Sequence, residues 1–448
     1  MGSWIDEAIV YHIYTLGFCG AFEENKGHTA NIPIREVLKW IPHLKSLGVN
    51  TILFGPLFKS TEHGYDIVDY YQIDPRVGSN EDFKEVCQEL HKNGFRIVLD
   101  GVFNHVGRDF KPFKDLQQKG QASQYKEWFC NVQFGQSTPY GDAFSYEAWE
   151  GHYNLVKLNV WHGEVRDYLF NAVKMWIEEF GIDGLRLDVA YCIDEGFLGA
   201  LRNFTDTQKS DFWLMGEMIH GDYTRLTKPG LLHATTNYEC YKGIYSSHND
   251  KNYFEINHSL NRLFGKGGLY AGLKLYNFVD NHDVERIATI LKQKQHLYNV
   301  YTLLYTMPGV PSIYYGSEWG IEGKKNQQSD DSLRPALDIE EMLNRDQSLA
   351  EHLKKLAKIR QNYPELCGSG YEQIVVKNEQ LIFARGSENN KLYVLLNLAE
   401  CEVELGFNAP YTMHLKDVLN EGVIINSSNG QYNVKVPAYA ARVLAQDE

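Results

Sequence analysis

GLRLDVA, residues 184–190, is the stretch from which the rest of the chain can be read. Gly184 to Asp188 has the form of a short buried strand, and because successive side chains of a strand alternate, Arg186 and Asp188 share a face. An ionised carboxylate is costly to bury unless it is paired, so a charge pair on a core strand serves either structural pairing or chemistry. Taken alone, the stretch favours structural pairing. Three further segments share its form, an apolar run ending in a carboxylate: RIVLDGVFNH at 96–105, FWLMGEMIH at 212–220 and YNFVDNHD at 276–283. Their recurrence points to one place where the carboxylates meet.

Working outward, short apolar runs alternate with helical patterns. Strands are expected at 9–14, 51–54, 95–99, 184–188 and 212–215, with a weaker one near 234–238 and two more at 275–279 and 312–315. Between them, apolar residues at helical spacing predict helices over 34–47, 81–93, 163–180 and 195–204, with Gly181 at a C-cap position. Eight such units make a closed (β/α)8 barrel, an α/β fold whose working face is the C-terminal end of its strands. Residues 106–157 lack clear periodicity and are too many for an ordinary loop, so they read as a small inserted domain after strand 3. A last helix over 339–363 ends the barrel. From 371 the pattern alternates, with turns at 388–390 and 427–430, as expected of an all-β sandwich. The expected division is therefore 1–105 with 158–363 for the barrel, 106–157 for the insert, and 364–448 for the C-terminal domain.

A chain of 448 residues buries a large core, and its net charge of -14, with basic residues scattered, argues against nucleic acid. No apolar run reaches the ~20 residues of a membrane span. Seven widely spaced cysteines without a CxxC pair fit reduced thiols rather than a disulfide frame or structural zinc. The N-terminus shows no secretion signal, so the expected location is cytoplasmic. Oligomeric state is not legible.

In the barrel reading, Asp100, Asp188, Glu217 and Asp283 fall at the ends of strands 3, 4, 5 and 7. Two carboxylates held ~5–5.5 Å apart suit retaining glycosidic cleavage, one attacking the anomeric carbon while the other protonates the leaving oxygen. Crowding of like charges would split their pKa values. His105 and His282 stand beside them as donors to sugar hydroxyls.

These motifs resemble the α-amylase family of glycoside hydrolases (family 13), across the whole chain and in the family's order: DGVFNH at 100–105, GLRLDVA at 184–190, GEMI at 216–219 and FVDNHD at 278–283. The resemblance implies that Asp188 is the nucleophile, Glu217 the general acid/base, and Asp283 the carboxylate that binds ring hydroxyls and stabilises the transition state. It implies that Arg186 orients Asp188 and, through HGYDIVDYYQIDPRVG at 63–78, that Tyr65 stacks on the sugar. GVPSIYYGSEWG at 309–320 is similar to the family's eighth-strand region, and Arg334 in DDSLRPAL resembles an Arg on the non-reducing side of the site.

The sequence also departs from the family. Tyr191 and Cys192 stand where many secreted members carry Lys-His, and phenol and thiol are poor calcium ligands. Asn104 and a carbonyl at 192 keep calcium open, but neither a metal nor any other cofactor is expected to be required. LVKLN at 155–159 and Val189 resemble the neopullulanase and cyclomaltodextrinase group, while Met218 is shared with 1,6-glucosidases. The first barrel strand is expected at the start of the chain, so the extra N-terminal domain of many members of that group is expected to be absent. The expected activity is hydrolysis of α-1,4 bonds, with α-1,6 tolerance open, in short maltooligosaccharides or cyclodextrins. An α-1,6-glucosidase and a transglycosylase are the alternatives within the family. An inactive binding partner is disfavoured, because all three carboxylates are present.

Overall fold

The computed structural model describes residues 3–21, 33–326, 329–387, 390–409, 414–420 and 422–446. Eight parallel strands form the central sheet: β1 (Val10–Ile13), β2 (Thr51–Phe54), β3 (Arg96–Gly101), β4 (Gly184–Leu187), β5 (Trp213–Gly216), β6 (Ala234–Thr235), β7 (Tyr276–Asn277) and β8 (Val310–Tyr314). Their order is β6-β5-β4-β3-β2-β1-β8-β7. A parallel bridge between Thr236 and Tyr276 joins the two ends, with the Asn237 N–H donating to the Tyr276 carbonyl at 2.9 Å, so the sheet closes into a (β/α)8 barrel. Every residue of β1, β2 and β4 is buried, as expected of strands enclosed by helices outside and packed side chains within.

The helices lie where the apolar stripes place them. Val37–Ser46 continues from a 3-10 turn at Ile34–Glu36, and Asn80–Lys92 opens with a capping box between Ser79 and Asp82. Gly163–Phe180 ends at Gly181, whose φ of 70° is the left-handed cap that glycine adopts without a Cβ clash. The helix expected over 339–363 is in fact two, Ile339–Leu343 and Ser348–Asn362. The break has a local cause: the Gln347 side chain donates to the Met342, Leu343 and Arg345 carbonyls, and Asp346 accepts from the Ser348 N–H. Those bonds compete with the helical ladder.

Two excursions rise from the C-terminal face. After β2, a hairpin of Phe58–Ser60 and Ile67–Ile73 carries Tyr65 in its turn. After β3, His105–Gly107 pairs with His152–Lys157, enclosing the helix Lys111–Lys119 and short strands. Gly107 lies so close to the hairpin that a Cβ there would meet the Asp66 carbonyl at 2.4 Å. Beyond the barrel, a six-stranded antiparallel sheet faces the pair Val403–Asn408 and Gln431–Val436 around a core that includes Leu395, Phe407, Tyr432 and Leu444. Strict alternation of exposed and buried residues along Gln431–Val436 marks it as one layer of a sandwich. Of the turns expected there, residues 388 and 389 lie outside the described residues.

Candidate active site

A cavity of about 1020 Å³ opens at the C-terminal face. Its floor is made of β-strand ends, and behind that floor lies the Arg186 guanidinium, 3 % exposed. Arg186 Nη1 lies 2.6 Å from Asp100 Oδ1 and 3.6 Å from Asp188 Oδ1, and Nη2 lies 2.9 Å from Glu217 Oε1. Strand register explains the convergence: Arg186 stands level with Asp100 on β3 and Met215 on β5, so Asp188 and Glu217 each lie two residues beyond that level on adjacent strands. A buried cation with three carboxylates around it is paired, which makes its burial tolerable.

Glu217 is held further by the Val189 N–H, 3.1 Å from Oε2, and by the Tyr238 hydroxyl, 3.3 Å from Oε1. Burial first, and then the charge of Glu217, pushes Asp188 well above the usual carboxylate range, against the pull of Arg186. Across the cavity, Asp283 keeps a side chain 39 % exposed; His282 Nε2 is 3.0 Å from Oδ2 and Arg334 Nη2 is 3.2 Å from Oδ1. Burial works to raise the Asp283 pKa, but the contact with His282, followed by the charge of Arg334, outweighs it and holds the carboxyl well below its ordinary value. Asp283 is thereby fixed as an anion.

The expected residues divide into two sets. Tyr65, His105, Asp188, Glu217, Asp283 and Arg334 line the cavity. Asp100, Arg186 and His282 are packed behind the lining, where they hold the others: Tyr65 donates to Asp100 Oδ2 at 3.0 Å and its hydroxyl also meets His282 Nε2. Burial lowers the His105 pKa to about 3, so its ring is neutral. Sequence reasoning did not single out Tyr14, Trp149 or Tyr238, which also line the cavity. Tyr14 had a usable signal, an aromatic closing a barrel strand. Trp149 sits in the aperiodic insert and Tyr238 just after the two-residue strand β6, where no pattern marks them.

Asn104 Nδ2 is engaged at 3.2 Å with His105 Nδ1, and Cys192 presents a thiol. Among the described residues, no three His, Cys, Asp or Glu side chains are grouped to share a cation.

A barrel whose strand ends gather three acidic groups in a sugar-sized cavity is the architecture of a glycosidase. Residues 33–349 match the family model described as "Alpha amylase, catalytic domain", and the chain belongs to the α-amylase family. It is 29 % identical to a maltogenic alpha-amylase of Bacillus acidopullulyticus, covering 96 % of this chain and 76 % of that protein. It is 30 % identical to an intracellular maltogenic amylase of Bacillus subtilis, covering 88 % and 69 %. A solved cyclomaltodextrinase superposes with a TM-score of 0.85 at 26 % identity, over 99 % of this chain and 78 % of that one.

Proposed function

We propose that this glycosidase cleaves α-1,4-glucosidic bonds in short maltooligosaccharides or cyclodextrins with retention of configuration. One observation carries the reading: Asp188 and Glu217, on adjacent strand ends, bracket the same Arg186 guanidinium, with Asp283 facing them. Asp188 attacks the anomeric carbon while Glu217 gives its proton to the departing glycosidic oxygen. Glu217, now ionised and steadied by Arg186, the Val189 N–H and Tyr238, takes a proton from water, which displaces Asp188 from the sugar. Asp283 stays anionic and accepts hydrogen bonds from ring hydroxyls as positive charge develops at the anomeric carbon. Tyr65 supplies a stacking face, and Arg334 keeps Asp283 oriented.

The names of the relatives support the substrate class, and the name of the Bacillus subtilis relative supports a cytoplasmic setting. Among the described residues, no helix is long and apolar enough to cross a membrane. Because Tyr191 and Cys192 stand where many secreted members carry Lys-His, activity is expected to survive EDTA. Time-resolved NMR of maltohexaose hydrolysis tests the reading: the α-anomer appears first, and kcat/KM for maltohexaose or a cyclodextrin exceeds that for isomaltose and soluble starch. A β-anomer formed first contradicts the mechanism, and a preference for isomaltose makes the protein an α-1,6-glucosidase.

A further inference from the structure

We infer that Arg286, which does not touch the cavity, is the positioning residue that fixes Arg334 against Asp283. Arg286 lies three residues beyond Asp283 on the loop leaving β7 and is fully buried. Its Nη1 donates to the Tyr315 carbonyl at 2.6 Å and to Ser317 Oγ at 3.1 Å, and its Nη2 donates to the Leu333 carbonyl at 2.9 Å. Its backbone N–H donates to the Gly323 carbonyl at 3.0 Å. A single residue thus grips the segment after β8 near its start, in its middle, and at the residue before Arg334. The guanidinium lies 4.0 Å over the Tyr314 ring, which restricts its plane.

The anchor is itself anchored. Ser317 Oγ donates to Asp280 Oδ2 at 2.8 Å, and the same oxygen accepts the Ile287 N–H at 3.0 Å, so the β7 and β8 exits are tied through a buried acid as well. At the far end, Arg334 Nε donates to the His282 carbonyl at 3.0 Å and Nη2 reaches Asp283 Oδ1 at 3.2 Å. Arg334 is therefore attached to the loop of Asp283 twice: directly through its own side chain, and through Leu333 by Arg286. Lysine carries the same charge but cannot supply planar donors to Tyr315 and Leu333 together. Gly323 is held close on both sides, since a Cβ there would meet the Ser332 carbonyl oxygen at 2.2 Å and Arg286 Cγ at 3.0 Å.

The inference rests on the proposed sugar-binding role of Asp283 and Arg334, and the test separates the two. Steady-state kinetics on maltohexaose would be measured for the wild type, Arg286→Lys, Arg334→Ala and the double variant, each checked for an unaltered circular dichroism spectrum. Arg286→Lys should lower kcat/KM by ~10-fold or more, mainly through KM, and adding it to Arg334→Ala should cost less than ~2-fold further, because both act through one contact. Independent, multiplying losses would overturn the inference while leaving the catalytic reading intact. An Arg334→Ala enzyme with unchanged KM would instead remove the reading on which it rests. If Arg286→Lys does not fold, Ser317→Ala, which loosens the same anchor at one bond, takes its place in the cycle with the same criterion.

Discussion

The Val189 N–H reaches Glu217 Oε2 at 3.1 Å from a left-handed backbone conformation, φ 40° and ψ 45°, that a β-branched residue seldom adopts. The residue after the proposed nucleophile is thus strained in the position that aims its amide at the proposed acid. Strain of this kind costs ~1–3 kcal/mol and persists only where the surroundings enforce it. Val189→Gly keeps the amide and removes the strain, while losing a buried side chain worth ~1.5–3 kcal/mol. The two effects offset, so urea denaturation should show a stability within ~1 kcal/mol of wild type. A loss of ~3 kcal/mol or more would mean that the backbone is relaxed there.

Asp188 is expected to limit stability while serving chemistry. Its folded pKa is raised, so the folded state binds its proton more tightly than the unfolded chain, and stability falls as pH rises from the unfolded value of ~3.9 through the raised one. Asp188→Asn removes that penalty at ~1.4 kcal/mol per unit of upward shift. The variant should lose ~10³-fold or more in kcat and yet melt higher than wild type at pH 7, with the difference closing below pH ~4. An Asn variant that melts lower at pH 7 would show that the carboxylate is net stabilising.

Asp183, at the opposite end of the barrel just before β4, should behave in the reverse sense. It is 2 % exposed, with Lys209 Nζ and Arg96 Nη1 each 3.0 Å from Oδ1, and with His91 at 3.1 Å and the Ile97 N–H at 2.9 Å from Oδ2. Burial alone would raise its pKa, but the His91 hydrogen bond, Lys209 and the Ile97 amide bring it down to about 2. Its stabilisation is complete above the unfolded pKa and is lost as pH falls through the folded one. Asp183→Asn should cost ~2–3 kcal/mol, constant from pH 7 to 5 and shrinking below pH ~4. A cost that does not change between pH 5 and 3 would assign it to lost geometry rather than charge.

Much of this architecture was legible because a barrel repeats one pattern. Thr51–Phe54 and Gly163–Phe180 match their sequence-based bounds, because an apolar run between turn residues and a stripe ending in glycine have few other interpretations. β6 and β7 are only two residues long, shorter than the five expected; at the end of β6, Thr236 bridges Tyr276 to close the barrel and Asn237 caps the next helix. His296–Thr306 carried no stripe because every residue in it but the half-buried Tyr298 is buried, between the barrel and the C-terminal sheet. The carboxylates were readable from strand ends. The anchoring of Arg334 by Arg286 was not, because it runs through backbone carbonyls, which leave no trace in residue identity.

Buried histidines set the last expectation, the acid limit of the fold. His12, His105 and His248 are at most 3 % exposed, and burial pulls each of them down, to about 3 for His105 and His248. For His12 and His248 a neighbouring histidine adds to the shift, and for His105 the contribution comes from His63. An unfolded histidine takes up its proton near pH 6.5, whereas these folded ones do not, so the unfolded state binds more protons and stability falls as pH drops below ~6.5. Three such groups give a slope of up to about 4 kcal/mol per pH unit, opposed by Asp188, whose raised pKa favours the folded state as acid is added. Urea midpoints should therefore decline between pH 7 and 5, well above the range in which ordinary carboxylates titrate, and Asp188→Asn should make the decline steeper. Midpoints that stay flat over that interval in both proteins would show that the three rings are protonated in the folded state.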